Sequence, residues 1–412
     1  MLTLHGSEEP RRGSALRELG IIPDGALLIG NGKIEEVGPS RRVENLAPAR
    51  DAFEIDASGK VVMPGFVDSH THLVYGVPWL KEYENRAAQL GGDVFERTSL
   101  RASVQAVHTV SARRLEWRAQ TTVAGMVRHG TTTLEAKSGY GLDQSGEVKI
   151  LRVLAALDGQ PLDVFATLLA ALDIQGEYRR NTWDYLSWFS TTLMPKVRHR
   201  RLASFVDVIT DGGGLTLEQA ERYLEIAREL GFLIKVHADQ FRRTGSVPLA
   251  VRVGAVSVDH LDHSSPEDID MVARSGTIAT LLPGAAFHLG HGRYPPARAL
   301  IDAGAAVALA SNLNPETCPT YNMQMILSLA CTQMHMTPAE AISAATVNGA
   351  HALRCAGRAG SFEPGKQADV LVMNASDYRE IPYHFGVNAV AMTIKRGVAI
   401  YDEGKVHWGR QR

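Results

Sequence analysis

Residues 61–75, VVMPGFVDSHTHLVY, decide both the fold and the chemistry that the sequence predicts. An apolar, β-branched run broken by Pro64-Gly65 leads into His70-Thr-His72. Side chains at positions i and i+2 of a strand point to the same face, so the two imidazoles stand side by side. That spacing suits a divalent cation such as Zn²⁺. Two unrelated polar residues on a half-exposed strand are the alternative, but the position of the pair at the end of an apolar strand favours a metal site.

Several motifs give this chain a resemblance to a known family. Residues 56–72 resemble the first-strand signature of the amidohydrolase superfamily, metal-dependent hydrolases built on a (β/α)8 barrel. Other stretches are similar to the imidazolonepropionases, the ring-opening enzymes of histidine degradation. These stretches are TTTLEAKSGYGL at residues 131–142, HADQ at 237–240, DH at 259–260, LLPG at 281–284 and IPYHFGVN at 381–388. The resemblance covers nearly the whole chain.

Composition limits the classes of protein that fit. With 412 residues, of which 45% are hydrophobic, the chain is long enough for a barrel and one accessory domain. No apolar run reaches the roughly 20 residues of a membrane span, and MLTLHGSEEPRRG is unlike a secretory signal. The net charge of −2 argues against nucleic-acid binding through a general positive field. Three widely spaced cysteines form no disulfide framework. We expect a cytoplasmic homodimer that binds a small molecule or a modified peptide.

The order of predicted elements indicates an α/β protein. We expect a (β/α)8 TIM-type barrel with a small composite β-sandwich domain from both chain ends. Strand-like pieces occur near the N-terminus at residues 26–30 and 33–37, and near the C-terminus at residues 368–373, 389–395 and 398–401. If both groups pair in one sheet, the barrel is inserted between them, as the resemblance also implies. The expected parts are residues 1–62 and 358–412 for the β-domain and residues 63–357 for the metal-dependent hydrolase barrel.

Polar residues recur at the ends of predicted strands in the middle of the chain. Thr216-Leu-Glu-Gln219 predicts a capping box at the start of a helix, and the strand after that helix ends in His237. Two further predicted strands end in His260 and Asn312. Active sites of (β/α)8 barrels lie at the C-terminal ends of the strands. Each of these residues alone could be a hydrogen-bonded core residue, but together with the first histidine pair they favour one site.

Three neutral imidazoles with an open position make a catalytic metal site rather than a structural one. We take His70, His72 and His237 as the ligands of one divalent ion. Zinc is the expected metal, and iron or manganese would also fit. Such an ion lowers the pKa of a bound water to about 7 and polarises a carbonyl under attack. His260 would be the catalytic residue that hydrogen-bonds this water or the developing oxyanion.

The resemblance implies roles for further residues. It places Tyr140 and Gln240 against the substrate, and it places Glu135 among the catalytic residues. Some members of the superfamily carboxylate a barrel lysine to bridge two metal ions. The motif around Lys137 matches the branch with a single ion, so we expect a mononuclear site.

Departures from the family pattern decide which substrate the sequence predicts. The family has an aspartate on the last strand that takes the proton from the attacking water, and here the residue is Asn312, which cannot act as a carboxylate base. Trp79 stands where imidazolonepropionases carry an arginine that grips the propionate, and Leu172 stands where a histidine contacts the imidazolone. Trp79 and Leu172 predict an apolar pocket. The alternative is that a neighbouring residue, such as Arg86, serves the carboxylate.

The sequence therefore predicts a metal-dependent amidohydrolase that cleaves an amide or amidine-adjacent C–N bond in a hydrophobic substrate. Removal of the follower peptide from a macroamidine, as in bottromycin-type biosynthesis, fits this description. We expect Asn312 to be a catalytic residue together with His260 and Glu135. Two alternatives stay open. One is an authentic imidazolonepropionase, and the other is a catalytically silent metal-containing binding protein, against which the intact Tyr140 and His237 argue.

Overall fold

The chain alternates strands and helices, and the computed structural model describes residues 1–6, 8–88, 98–170, 181–211, 214–402 and 405–406. The strands, in chain order, are β1 (Gly25–Gly30), β2 (Lys33–Pro39), β3 (Val61–Pro64), β4 (Phe66–Asp68), β5 (Thr131–Lys137), β6 (Asp163–Ala170), β7 (Phe205–Val208), β8 (Leu233–Ala238), β9 (Ser257–His260), β10 (Ile278–Leu281), β11 (Val307–Leu309), β12 (Val370–Met373), β13 (Val390–Lys395), β14 (Val398–Asp402) and β15 (Lys405–Val406).

Helices cover the outside of the strands and connect them. They are α1 (Ser40–Val43), α2 (Leu80–Ala87), α3 (Thr98–Thr109), α4 (Ala112–Arg128), α5 (Gln144–Leu157), α6 (Thr182–Trp188), α7 (Met194–His199), α8 (Leu217–Glu229), α9 (Ser246–Arg252), α10 (Pro266–Ala273), α11 (Pro283–Leu289), α12 (Ala297–Asp302), α13 (Met323–Gln333), α14 (Pro338–Ala345), α15 (Val347–Ala352) and α16 (Glu380–Tyr383). Short 3₁₀ turns lie at Gly13–Arg17 and Ala47–Asp51, and a π-helical turn lies at Phe189–Leu193. Among the described helices, none has the length and apolar character to cross a membrane.

Strands β4 to β11 form a parallel barrel in which each strand pairs with the next one along the chain. The barrel closes just beyond its first and last strands, where Thr71 and Leu313 form a parallel bridge. Asp68 strengthens this closure, because its carboxylate accepts the backbone N–H and the hydroxyl of Ser311 at 2.9 and 2.5 Å. The predicted (β/α)8 barrel is confirmed, with antiparallel sheets beside it.

Two antiparallel sheets lie outside the barrel. One has five strands in the order β15-β14-β13-β12-β3, and the other contains β1 and β2. The expectation that β1 and β2 join the C-terminal strands in one sheet is wrong, since β3 pairs with β12 instead. The two sheets still share a core, in which Ile34 of β2 packs with Val370 and Ile394. This packing has the form of a sandwich, and the division of the chain into domains stays a prediction.

Local sequence signals explain where the helices beside the barrel begin. The predicted capping box at α8 is present, with the Thr216 hydroxyl accepting the N–H of Gln219 at 3.2 Å and the Gln219 amide oxygen accepting the N–H of Thr216 at 3.0 Å. Thr337 and Glu340 form a second box at α14. Each box satisfies two backbone donors that the first helical turn leaves without partners. Helix α8 thereby starts at a fixed point after β7, and α14 starts at a fixed point after α13.

Candidate metal centre and active site

Four histidines meet inside the C-terminal end of the barrel. His70 and His72 follow β4, His237 lies on β8, and His260 ends β9. The ring of His70 lies 4.5 Å from that of His237 and 5.5 Å from those of His72 and His260. Ligand atoms of His70, His237 and His260 lie within 4.8 Å of one another. The structure therefore brings the three predicted ligands and the predicted catalytic histidine together, although the tightest triplet contains His260 rather than His72.

Buried carboxylates lie beside two of these imidazoles. The Nδ1 atom of His70 forms a hydrogen bond of 2.7 Å with a carboxylate oxygen of Asp259. The Nδ1 atom of His237 lies 2.8 Å from a carboxylate oxygen of Asp207, but this contact lacks the geometry of a hydrogen bond. A carboxylate that is hydrogen-bonded to Nδ1 holds the proton on that atom and leaves Nε2 as a lone-pair donor. In the described part of the chain, the buried Nε2 of His70 has no hydrogen-bond partner. That orphaned atom, in a cluster of imidazoles, fits a metal ion.

Burial keeps the imidazoles of His70, His72 and His260 neutral. It lowers the pKa of His70 well below the ordinary value, and the positive charge of Lys137 adds to this effect. The pKa values of His72 and His260 are also lowered well below the ordinary value, first by burial and then by His237. A histidine must be neutral to ligate a metal or to accept a proton. The electrostatics therefore suit the predicted roles.

A layer of buried charges lies behind the histidines. The ammonium group of Lys137 is 2.6 Å from Glu135 and 2.8 Å from Asp207, and that of Lys235 is 3.5 Å from Asp259. Burial opposes the charge on Lys137, but Asp207, Glu135 and Asp259 outweigh burial and raise its pKa. A protonated lysine cannot carry the carboxylate that bridges two metal ions in other amidohydrolases. This supports the expected mononuclear site.

Glu135 lies in that layer rather than against the substrate. One of its carboxylate oxygens accepts from Lys137 and from the Thr167 hydroxyl, and the other accepts the backbone N–H of Thr71 at 3.2 Å. The side chain is completely buried. Because both oxygens are occupied, the placement of Glu135 differs from the catalytic role that the sequence predicts. Its contacts make it a support for Lys137 and for the loop between the first two histidines.

Asn312 lies beside the histidines at the barrel closure. Its backbone N–H donates to the carbonyl of His70 at 3.0 Å, and its side-chain Nδ2 donates to the Thr317 hydroxyl at 3.4 Å. Its φ of 58° and that of His260, 84°, lie in the left-handed region. Non-glycine residues in that region cost free energy and cluster at functional sites. The position of Asn312 agrees with its predicted place in the site.

Tyr140 lies beside the histidine cluster, and Gln240 follows His237 by three residues. The ring of Tyr140 lies 6.2 Å from that of His72. The loop that carries Tyr140 is held by Glu147, whose carboxylate accepts the backbone N–H groups of Gly139 and Gly141 at 2.8 Å each. The buried side-chain nitrogen of Gln240 has no hydrogen-bond partner among the described residues. Both residues are therefore placed to meet a ligand.

Two residues, Trp79 and Leu172, are predicted to make the pocket apolar, and the structure describes the first of them. Trp79 is 6% exposed, belongs to the main hydrophobic core, and donates from its indole nitrogen to the Ser103 hydroxyl at 3.2 Å. This hydrogen bond holds Trp79 against α3, and its place in the substrate pocket stays a prediction. Leu172 lies outside the described residues.

The sequence-based prediction missed Asp207, Asp259 and Lys235. A signal was present, because Lys235 stands two residues before His237 on the same face of β8, and Ser257 and Asp259 share a face of β9. Charged residues at that spacing in strands buried on both faces are unusual, since such strands are normally apolar. They mark the inward-facing positions that hold the histidines.

Comparisons with known proteins show the family of this chain. A sequence model of the Amidohydrolase family matches residues 61–400. The imidazolonepropionase of Alkaliphilus metalliredigens is 39% identical over 98% of this chain and 97% of its own length. That of Parabacteroides distasonis is 41% identical over 96% of each chain.

Solved structures show the same fold at low sequence identity. A 5-methylcytosine deaminase from Klebsiella pneumoniae has a TM-score of 0.72 and 18% identity, over 92% of this chain and 95% of that one. A zinc-bound adenosine deaminase from Xanthomonas campestris has a TM-score of 0.68 and 18% identity, over 93% of this chain and 90% of that one. At these identities the likeness extends to the fold alone.

Proposed function

This chain belongs to the amidohydrolase family and is a hydrolase that attacks C–N bonds with a metal-activated water, and from that premise we propose that its substrate is imidazolonepropionate. The observation that carries the proposal is the 39% and 41% identity, over almost the whole of both chains, to relatives named imidazolonepropionase. The expected peptide natural-product substrate of the bottromycin type has no support from these relatives. The imidazolone alternative therefore replaces it, and membership of a hydrolase family sets the silent binding protein aside.

Members of this family bind a divalent metal ion, and the histidine cluster fits one. We propose that His70, His72 and His237 hold a single zinc ion. When bound, such an ion lowers the pKa of a water to about 7 and polarises the carbonyl under attack. Asp259 keeps Nε2 of His70 free for this purpose. The ammonium group of Lys137 lies 2.8 Å from Asp207 and 3.9 Å from Asp259.

The reaction requires one addition and one cleavage. Imidazolone is a cyclic N-acyl amidine, so water adds to the ring carbonyl and the ring C–N bond breaks. The carbonyl carbon becomes a carboxylate, and the nitrogen takes a proton and leaves as part of an amidine. His260, whose ring lies 5.3 Å from that of His237, would take the proton from water and return it to the nitrogen. Asn312 adds a hydrogen-bonding group but no carboxylate base.

The experiment compares two substrates with the same metal-loaded protein. Imidazolonepropionate and a macroamidine peptide are incubated separately, and ring opening and peptide cleavage are followed by mass spectrometry. The proposal expects turnover of imidazolonepropionate at a kcat/KM in the usual enzyme range of about 10⁴–10⁸ M⁻¹s⁻¹. Efficient cleavage of the peptide together with no ring opening would reject it.

A further inference from the structure

A buried carboxylate lies beside His260, the proposed proton acceptor. The Nδ1 atom of His260 is 3.9 Å from a carboxylate oxygen of Asp262. Both side chains are buried, and neither of these two atoms has a hydrogen-bond partner among the described residues. Unpaired polar atoms in a protein interior cost free energy, so two of them at this distance point to a contact that the protein forms when it works.

The backbone between these two residues is fixed in an uncommon conformation. His260 and Leu261 both lie in the left-handed region, with φ of 84° and 70°. Non-glycine residues in that region cost free energy and persist where surrounding contacts hold them. Here the Leu261 N–H donates to the carbonyl of Ala238 at 3.0 Å, which fastens the turn after β9 to the end of β8. This turn sets the side chain of Asp262 beside that of His260.

Burial opposes the charged form of each partner. It lowers the pKa of His260 well below the ordinary value. It raises the pKa of Asp262 well above the ordinary value, where the charge of Asp211 adds to the rise and that of Arg293 opposes it. An imidazolium and a carboxylate in contact stabilise each other's charge. The pair can therefore hold a transferred proton that a solitary buried imidazole would resist.

The tautomer of His260 decides whether it can accept that proton. Asn312 gives the site no carboxylate base. His260 can act in its place when Nδ1 carries the ring's own proton and Nε2 offers a lone pair, and an acceptor beside Nδ1 selects this tautomer. Among the described residues, the carboxylate within 4.0 Å of a His260 ring nitrogen is that of Asp262.

We propose that Asp262 is a positioning residue for His260, whose Nδ1–H donates to its carboxylate so that Nε2 faces the attacking water. This inference rests on the proposed function, in which His260 takes the proton from water. The distance of 3.9 Å needs a small movement of the side chains, and catalytic hydrogen bonds that are long without substrate often tighten in the complex. One proton moves from water to Nε2, the Nδ1 proton stays in place, and the new positive charge lies beside the carboxylate.

The tautomer of His260 tests this inference without turnover. Nitrogen-15 NMR of the zinc-loaded protein distinguishes a protonated Nδ1 from a protonated Nε2, and the signals that His260→Ala removes belong to this ring. The parent protein should carry the proton on Nδ1. Asp262→Asn should move it to Nε2, because the asparagine amide can donate to Nδ1, whereas Asp262→Glu should keep it on Nδ1. A proton on Nε2 in the parent, or the same tautomer in the parent and in Asp262→Asn, would overturn the inference.

Kinetics on imidazolonepropionate give the second measurement. Asp262→Asn should lower kcat by about 10- to 100-fold, the usual effect of losing a carboxylate behind an imidazole of a metal site, and should leave KM unchanged. Asp262→Glu should recover part of the lost kcat. The matched control is Asp163→Asn, which removes a buried carboxylate paired with Lys395 and should keep the parent's kcat and tautomer. A rise in KM at unchanged kcat in Asp262→Asn would reject the inference.

The two measurements separate this inference from the proposed function. Turnover of imidazolonepropionate with a His260 tautomer and a kcat that do not depend on Asp262 would reject the inference alone. An Asp262-dependent tautomer in a parent protein that opens no imidazolone ring would reject the proposed function alone.

Discussion

The Nδ1 atom of His70 lies 2.7 Å from a carboxylate oxygen of Asp259, and both side chains are completely buried. This contact fixes which nitrogen carries the proton and turns the other toward the centre of the histidine cluster. A second buried carboxylate, that of Asp207, lies 2.8 Å from Nδ1 of His237 without the geometry of a hydrogen bond. The metal centre is therefore built from two layers, an inner layer of histidines and an outer layer of buried carboxylates and lysines. We expect the outer layer to determine how tightly the histidines bind a metal ion.

Replacing Asp259 by Asn should weaken metal binding by about 10- to 100-fold, the usual effect of losing a partner behind a metal ligand. The substitution keeps the volume but removes the charge that holds the His70 proton. Competition with a chromophoric chelator measures the affinity. The control is Asp163→Asn, which removes a buried carboxylate paired with Lys395 at 2.9 Å, outside the histidine cluster. An equal loss of affinity in both variants would show that the effect comes from general destabilisation.

Alanine at His237 and at His260 should have different effects. His237→Ala should lose most of the bound metal, because it removes a ligand. His260→Ala should keep about one ion per chain but lose about 10²- to 10⁴-fold in kcat, as expected when a general base is removed. Metal analysis and steady-state kinetics on the two variants check this. Loss of the ion from His260→Ala would make His260 a ligand in place of His72, consistent with the tightest triplet.

Asn312→Asp tests whether the proton acceptor is His260. If it is, a carboxylate at Asn312 adds no needed group and should leave kcat unchanged or lower it. The aspartate would also lose the hydrogen bond that the Asn312 amide donates to Thr317. Kinetics on imidazolonepropionate, with metal content measured in parallel, give the answer. An increase in kcat by orders of magnitude would mean that asparagine at position 312 impairs catalysis. The assignment of His260 as the proton acceptor would then fail.

Lys137→Met should reduce the free energy of unfolding of the metal-free protein by about 3–5 kcal/mol, because it leaves buried carboxylates without their counter-ion. Chemical denaturation measures the change. Lys33→Met, at an exposed position on β2, should stay within about 0.5 kcal/mol of the parent.

The protonated state of Lys137 has a second consequence. Added bicarbonate should not raise the metal content above one ion per chain, and a second bicarbonate-dependent ion would contradict the charge assignment.

Much of the inner layer could be predicted from the sequence. His70, His72 and His237 end apolar runs, and the period of two places the first pair on one face. The outer layer could not be derived in the same way, because it depends on register. His237 stands opposite Asp259 across β8 and β9, and that pairing is set by the stagger of the barrel.

Local backbone geometry also limited the prediction. Strict alternation sends Asp259 and His260 to opposite faces of β9, yet both lie beside His70. The left-handed φ of 84° at His260 ends the alternation and turns its ring inward. The contact between Trp79 and Ser103 of α3 could not be predicted either, since it joins two separate segments of the chain.

The most direct test of the account is a titration of metal-free protein with Zn²⁺, in which the turnover of imidazolonepropionate is measured at each step. The account predicts that activity rises linearly and reaches its plateau at about one ion per chain, with kcat/KM within about 10⁴–10⁸ M⁻¹s⁻¹. No ring opening at any metal content, or a requirement for a second ion, would contradict it.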